Sequence, residues 1–199
     1  MSDPTICNPA IRTGYIRKLW PSDEPAFRDH LLRLDSESRH DRFAMGVSDE
    51  FIRNYAERCF RLDGSIFGYF VEGELRGAGE LRLIGNDHRV AEAAFSVEHD
   101  WRRQGVGREL MTRIVRSARN ARVETLYMSC LATNRAMQNL ARHFKAELKF
   151  ETDEVTGKLV GRRAPTPITQ MEEIVEDAAS FATAMVDLQR RTWLPRLSR

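Results

Sequence analysis

The sequence is poor in the features that would place it in a specialised class. Its 199 residues include only three cysteines, Cys7, Cys59 and Cys130. They are far apart and odd in number, and none falls in a CxxC or Cys/His spacing. Neither a disulfide framework nor a metal site is therefore expected, and free thiols suit a reducing compartment. No run approaches the ~18 apolar residues of a membrane-crossing helix, and the opening MSDPTICNPA has no apolar signal core. These absences lead to the expectation of a cytoplasmic protein with no membrane partner. An excess of one charge is missing too: 31 Lys and Arg against 29 Asp and Glu leave +2, so no global bias points to nucleic acid. No internal repeat or low-complexity tract is found.

What is present is an ordinary globular composition, 42% hydrophobic and 30% charged, long enough for one domain with an appendage. Gly14–Leu19 reads as a first strand. Pro21, Ser22 and Asp23 signal a helix start, and Phe27, Leu31 and Leu34 give that helix an apolar face. The polar stretch SESRHDRF follows, placed where a lid would fit, and then a second helical region near Asp49–Phe60. Ser65–Val71 and Glu74–Ile84 flank a Glu72-Gly73 turn as a hairpin, and Arg89–Val97 is a further strand. Gly105–Arg122 is an amphipathic helix, Glu124–Cys130 a strand, and Asn134 to about His143 another helix. Strands close the pattern at Glu147–Thr152 and Lys158–Arg163. Pro165 and Pro167 mark a boundary, dividing a domain over 1–164 from a C-terminal helical extension over 165–199. The extension's stripe of Met171, Ile174, Val175, Phe181, Met185 and Leu188 needs cover, from its own domain or from a partner chain in a homodimer. The order of elements gives a mixed α/β domain with an added C-terminal helix.

The most informative segment is VEHDWRRQGVGR, Val97–Arg108. A strand ends there and a glycine-containing loop opens a helix. First-turn helix amides have no internal partner, and the helix dipole adds partial positive charge, which makes an anion site. Gly105 and Gly107 let a ligand approach the backbone, and Arg102, Arg103 and Arg108 add full charges. The loop lacks the Gly-Lys-Ser/Thr of a Walker A loop and the third glycine of GxGxxG.

Arg102-Arg103-Gln104-Gly105-Val106-Gly107 resembles the (Arg/Gln)-x-x-Gly-x-(Gly/Ala) signature of the GNAT acetyltransferases. Asn134-Arg135-Ala136-Met137-Gln138-Asn139-Leu140 is similar to that family's second segment, Asn-x-x-Ala-x-x-Leu, with Met137 in place of the alanine. The resemblance covers Gly14–Arg163. It implies the GNAT fold, a mixed and mostly antiparallel central sheet flanked by helices. It also implies acetyl-CoA (coenzyme A) as co-substrate, no metal, and transfer of the acetyl group to a primary amine, either a protein lysine or a small metabolite.

Carried over by motif position, the Val97 amide polarises the thioester carbonyl. The backbone of Gln104, Gly105, Val106, Gly107 and Arg108, with Arg102 and Arg103, holds the pyrophosphate, and Asn134 meets the pantetheine arm. AEAAFSV resembles the matching strand of bacterial protein-lysine acetyltransferases, which makes Glu92 the base. Glu80 competes for that role; the plain alternatives are a solvated strand glutamate for Glu92 and an exposed strand position beside Gly77 and Gly79 for Glu80. Odd spacing puts the Glu92 and Val97 side chains on opposite faces unless a bulge changes the phase. Ala141 stands where many family members carry an acidic tyrosine; Tyr127, Ser129 or a water is left to protonate the thiolate. The remaining arginines of the long helix, Arg113, Arg116, Arg119 and Arg122, read as a solvated face. His40, His88, His99 and His143 read as surface or packing residues, and Cys130 as a small buried residue. Two rival functions stay open: a non-catalytic acyl-CoA sensor with this fold, to which Ala141 lends weight, and a nucleotide-binding protein using the same loop.

Overall fold

Alternating apolar residues in the strands leave two greasy faces on a single sheet, and helices cover both. The structure, a computed structural model, describes residues 14–161 and 164–193, without the side chains of 190–193. Cys7, the Arg163 end of the last expected strand and the Trp193 side chain lie outside the described residues. The order is β1 (Tyr15–Lys18), α1 (Glu24–Arg33), α2 (Ser36–Phe43), α3 (Asp49–Cys59), β2 (Gly64–Val71), β3 (Glu74–Ile84), β4 (Val90–Val97), α4 (Val106–Asn120), β5 (Thr125–Leu131), α5 (Arg135–His143), β6 (Glu147–Phe150), β7 (Glu154–Val160) and α6 (Pro167–Trp193). The seven strands lie in the order β1-β2-β3-β4-β5-β7-β6. Every neighbouring pair is antiparallel except β4 with β5.

On one face the α4 stripe of Leu110, Met111, Ile114 and Ala118 packs on Ala91, Ala93, Leu126 and Met128. On the other, Phe27 and Leu31 of α1 and Ile52 and Ala56 of α3 pack on Ile66, Phe70 and Ala78. The strand period therefore decides which chemistry each face meets: odd-numbered β4 residues face α4, and even-numbered ones face α1–α3.

Three expectations are corrected. SESRHDRF is a helix, α2, because Asp35 caps it by accepting the Ser38 amide at 2.7 Å. Arg39 then ties it back to the Leu32 and Leu34 carbonyls at 2.6 and 3.0 Å. β7 begins at Glu154 rather than Lys158, since it pairs with β5 along that strand's whole length.

The third correction concerns α6, which docks through polar residues. Lys18 Nζ meets Asp177 at 2.5 Å and Arg17 meets Asp187 at 3.2 Å. Glu176 takes Arg113 and Arg116, so those two arginines face α6 instead of lying on a solvated face. Of the expected apolar stripe, Met171, Ile174, Val175 and Phe181 are exposed; Phe181 still touches the edge of Trp20. No helix among the described residues is long and apolar enough to cross a membrane.

Candidate active site

The site begins where two strands part. β5 accompanies β4 only from Val90↔Thr125 to Glu92↔Tyr127. On the other side of β4, the Glu98 amide donates to the Arg76 carbonyl at 3.0 Å. Opposed residues of an antiparallel pair alternate between exchanging and not exchanging hydrogen bonds. Even-numbered β4 residues therefore bond β3 and odd-numbered ones face β5; beyond the last pairing at Glu92↔Tyr127, the backbone groups of Phe95 and Val97 face the gap that β5 leaves. The β3–β4 register runs without a shift from Gly77↔Val97 to Ile84↔Val90. No bulge changes the phase, so the Glu92 and Val97 side chains lie on opposite faces.

Beyond β4 a short turn at His99–Trp101 buries Trp101. The chain then reaches Gly105, which opens α4 in the left-handed conformation, φ 85°, with no side-chain cap. The first-turn amides, Val106 and Gly107, have no acceptor within the helix. A β carbon at Gly107 would meet only Leu140 Cδ2, at 3.8 Å. Gly105 is thus required by its backbone, while Gly107 keeps the approach to the amides open. Arg103 and Arg108 are exposed beside them.

Arg102 is turned inward. Its Nε donates to the Val97 carbonyl at 3.1 Å and its Nη2 to Ser38 Oγ at 2.5 Å, tying the loop to the strand end and to α2. Gln104 donates its side-chain amide to the Asp100 carbonyl at 2.8 Å and is absent from the cleft wall. Asn134 caps α5, accepting the Met137 amide at 3.0 Å. A cleft of about 770 Å³ runs between these parts, walled by Phe95–Val97, the loop, α2 and α5.

The titratable groups divide sharply. Glu80 is buried and bound to Arg42 at 2.5 Å and to the Tyr55 hydroxyl at 2.6 Å. Burial pushes its carboxyl up, but Arg42 and Tyr55 outweigh this and hold it below its ordinary value. A carboxylate so occupied is a poor proton acceptor. Glu92 is half-buried, in register with Arg82 on β3 and Tyr127 on β5, and off the cleft wall. Ser129 is exposed, and Ala141 is buried in the core. Cys130 is buried, and burial raises its thiol, as suits a packing residue.

Two features escaped the sequence reading. Asp41 of α2 is the one carboxylate among the described residues on this cleft wall; burial raises its pKa against the pull of Arg102. His30 of α1 is wholly buried between Ser96 and Glu98. Neither position carries a motif. Among the described residues no group of three or more His, Cys, Asp or Glu is placed to hold a metal ion.

The family model described as Acetyltransferase (GNAT) family matches residues 28–145. No curated protein matches the chain. Among solved structures, the chain is similar to the GNAT domain of S. lividans PAT, with 19% identity, a TM-score of 0.65, and 74% of this chain and 90% of that one covered. It is also similar to yncA from Salmonella typhimurium, solved with its cofactor acetyl-CoA: 16% identity, TM-score 0.60, coverage 78% and 99%. A third is the ribosomal-protein-S18-alanine N-acetyltransferase from Escherichia coli, at 19%, 0.59, 78% and 98%.

Proposed function

The chain belongs to the acetyltransferase (GNAT) family, and from that premise we propose that it moves an acetyl group from acetyl-CoA to a primary amine by direct attack. The observation that carries the proposal is the end of the β4–β5 ladder at Glu92/Tyr127, which leaves the Phe95 and Val97 edge facing a cleft beside an uncapped helix start. Such a site fits a long anionic thioester. The Val106 and Gly107 amides and the Arg103 and Arg108 side chains would hold the pyrophosphate; the Arg108 amide donates to the Gly105 carbonyl at 2.9 Å. Asn134, its Oδ1 spent on the helix cap, keeps its amide NH₂ for the pantetheine arm. Arg102 acts by fixing the loop, and Gln104 contributes its backbone.

Val97 N–H donates to the carbonyl oxygen that gains negative charge as the amine attacks. Phe95, two residues back on the same edge, offers a second donor. An alkylammonium of pKa about 10.4 must lose its proton first. Glu92 is the base we assign, on the α1–α3 face at the point where the strands part. Asp41, on the cleft wall with a raised pKa, holds the incoming ammonium. A protein lysine is the acceptor we favour, on the likeness of the β4 sequence AEAAFSV. Tyr127, beside Glu92, is the side chain we assign to protonate the departing thiolate in place of Ala141.

Isothermal titration with acetyl-CoA, with ATP as control, tests the reading. Saturable binding of acetyl-CoA that weakens in Gly107→Val is the expected result. No binding at millimolar acetyl-CoA, or competition by ATP alone, would overturn it.

A further inference from the structure

Ser96 lies between Phe95 and Val97 and lines the cleft, and its buried side chain turns to the α1–α3 face, from which α2 also walls the cleft. There its Oγ is 2.9 Å from Nε2 of His30. Nδ1 of the same ring is 3.1 Å from Oε1 of Glu98. Glu98 also receives Arg33 at 2.9 Å and Arg76 at 3.0 Å. Although burial works against its charge, the His30 hydrogen bond and the two arginines hold this carboxyl down to about 2, so it is ionised.

Those facts settle the tautomer. An ionised carboxylate only accepts hydrogen bonds, so the proton of the ring sits on Nδ1. His30 has no solvent exposure, and burial lowers its pKa against the pull of Glu98, with Arg33 lowering it further and Glu80 raising it. The ring is therefore neutral, and Nε2 presents a lone pair to the Ser96 hydroxyl. A hydroxyl donating to an imidazole that an acid orients is the arrangement of an activated serine nucleophile, recognised by geometry and not by chain order. The amide of the residue after the nucleophile, here Val97, faces the cleft, the position an oxyanion donor takes beside such a serine. A strut between α1 and β4 would equally use the Ser96 hydroxyl to satisfy the buried Nε2; what it would not require is that Ser96 stand on the cleft wall beside the Val97 amide.

We propose that Ser96, His30 and Glu98 give the protein a second activity, hydrolysis of acyl-CoA thioesters through an acyl ester on Ser96 when no amine occupies the cleft. The inference rests on reading the cleft as an acyl-CoA site. In the first step Ser96 Oγ bonds the thioester carbonyl carbon while its proton passes to His30 Nε2. The C–S bond breaks, and the thiolate takes that proton and leaves as free CoA. In the second step a water oxygen bonds the same carbon as its proton passes to Nε2. The ester C–O bond breaks, Ser96 Oγ recovers the proton, and the carboxylic acid departs. Glu98 stabilises the imidazolium in both steps.

The test combines acetyl-CoA titration with a thiol-reagent assay for CoA release in the absence of any amine, on the wild type, Ser96→Ala and His30→Gln. The expected result is release by the wild type roughly 10²-fold or more above the spontaneous rate, falling to that rate in both variants. Because a variant of the wholly buried His30 can fail to fold, Ser96→Ala, a small change checked by its thermal melt, is sufficient by itself to decide the matter. Wild-type protein that binds acetyl-CoA but releases no CoA overturns this inference and leaves the transferase reading standing, as does release that persists in Ser96→Ala. Wild-type protein that does not bind acetyl-CoA removes both.

Discussion

Glu92 on β4 and Tyr127 on β5 stand opposite each other as the last paired residues of the parallel ladder. Past them β4 keeps its bonds to β3, and β5 keeps its bonds to β7 through Leu131. The two strands are thus held from their outer sides and share nothing between them. The gap is a consequence of pairing, and it supplies backbone donors that neither strand uses.

Val97→Pro removes one of those donors without removing a ladder bond, because the Val97 N–H faces the gap. The preceding Ser96 is extended, the conformation a following proline favours. The expected result is a melting temperature within a few degrees of wild type and an acetyl-transfer kcat lower by about 10²–10³-fold. A kcat within threefold of wild type would remove Val97 from the mechanism.

Glu92 and Asp41 divide the acceptor side between them, and their variants separate the roles. Glu92→Gln removes the base, so kcat falls by about 10²–10⁴-fold and activity recovers as pH rises toward the pKa of the amine. Asp41→Asn weakens the hold on the ammonium, so KM for the amine rises while kcat changes little. Steady-state kinetics across pH with a lysine peptide reads both. The opposite pattern would exchange the two assignments.

The elements were legible where their signal is periodic and local. The α4 stripe and the alternation of β5 both repeat within one segment, and the Arg102–Gly107 loop compresses its chemistry into six residues. α2 was not legible as a helix, since SESRHDRF has Phe43 as its one large apolar residue and its stability comes from the Asp35 cap and the bonds of Arg39. α6 misled for the opposite reason: its apolar residues are conspicuous in sequence, but Asp177, Glu176 and Asp187 meet partners 60 or more positions away. The His30–Ser96–Glu98 chain spans 66 and 68 positions, a spacing no local pattern encodes.

The two glycines of the loop should fail in different ways. Gly105 holds φ 85°, so Gly105→Ala forces a side chain into a left-handed conformation at a cost of about 1–2 kcal/mol. Its expected effect is a lower melting temperature. Gly107→Val leaves the fold intact, since the β carbon has room, and places bulk over the first-turn amides. Its expected effect is acetyl-CoA binding weakened roughly tenfold, about 1.4 kcal/mol, at an unchanged melting temperature.

Arg17 donates both Nη groups to Asp23, at 2.7 and 2.8 Å, and the two side chains are 4% and 3% exposed. Asp23→Ala strands a buried guanidinium that Asp187 only partly compensates, and the expected loss of stability in urea unfolding is about 3–5 kcal/mol. Asp177→Ala breaks the more exposed contact with Lys18, and its expected cost is below about 1 kcal/mol. Equal losses would mean that burial does not set the difference.

Acid should weaken the fold in two stages: His30 sets the first, and Glu98 contributes to the second together with Glu80, whose carboxyl is also held below its ordinary value. Burial lowers His30 below 6.5, so the unfolded chain takes up this proton at a higher pH than the folded one. Stability from His30 is complete above about pH 6.5 and falls as pH drops below it, by at most about 1.4 kcal/mol per pH unit. Glu98 is lowered from 4.5 to about 2, so its contribution is present above 4.5 and is lost as pH falls toward 2. Urea midpoints measured from about pH 8 down to about pH 4 should decline first near 6.5 and more steeply below 4.5. His30→Gln, which cannot titrate, should lose the first decline and keep a residue of the second through Arg33 and Arg76. A wild-type midpoint that rises as pH falls from about 7 to about 5 would mean that the folded protein holds the His30 proton more tightly than the unfolded chain, and Nε2 would then have no lone pair to offer Ser96.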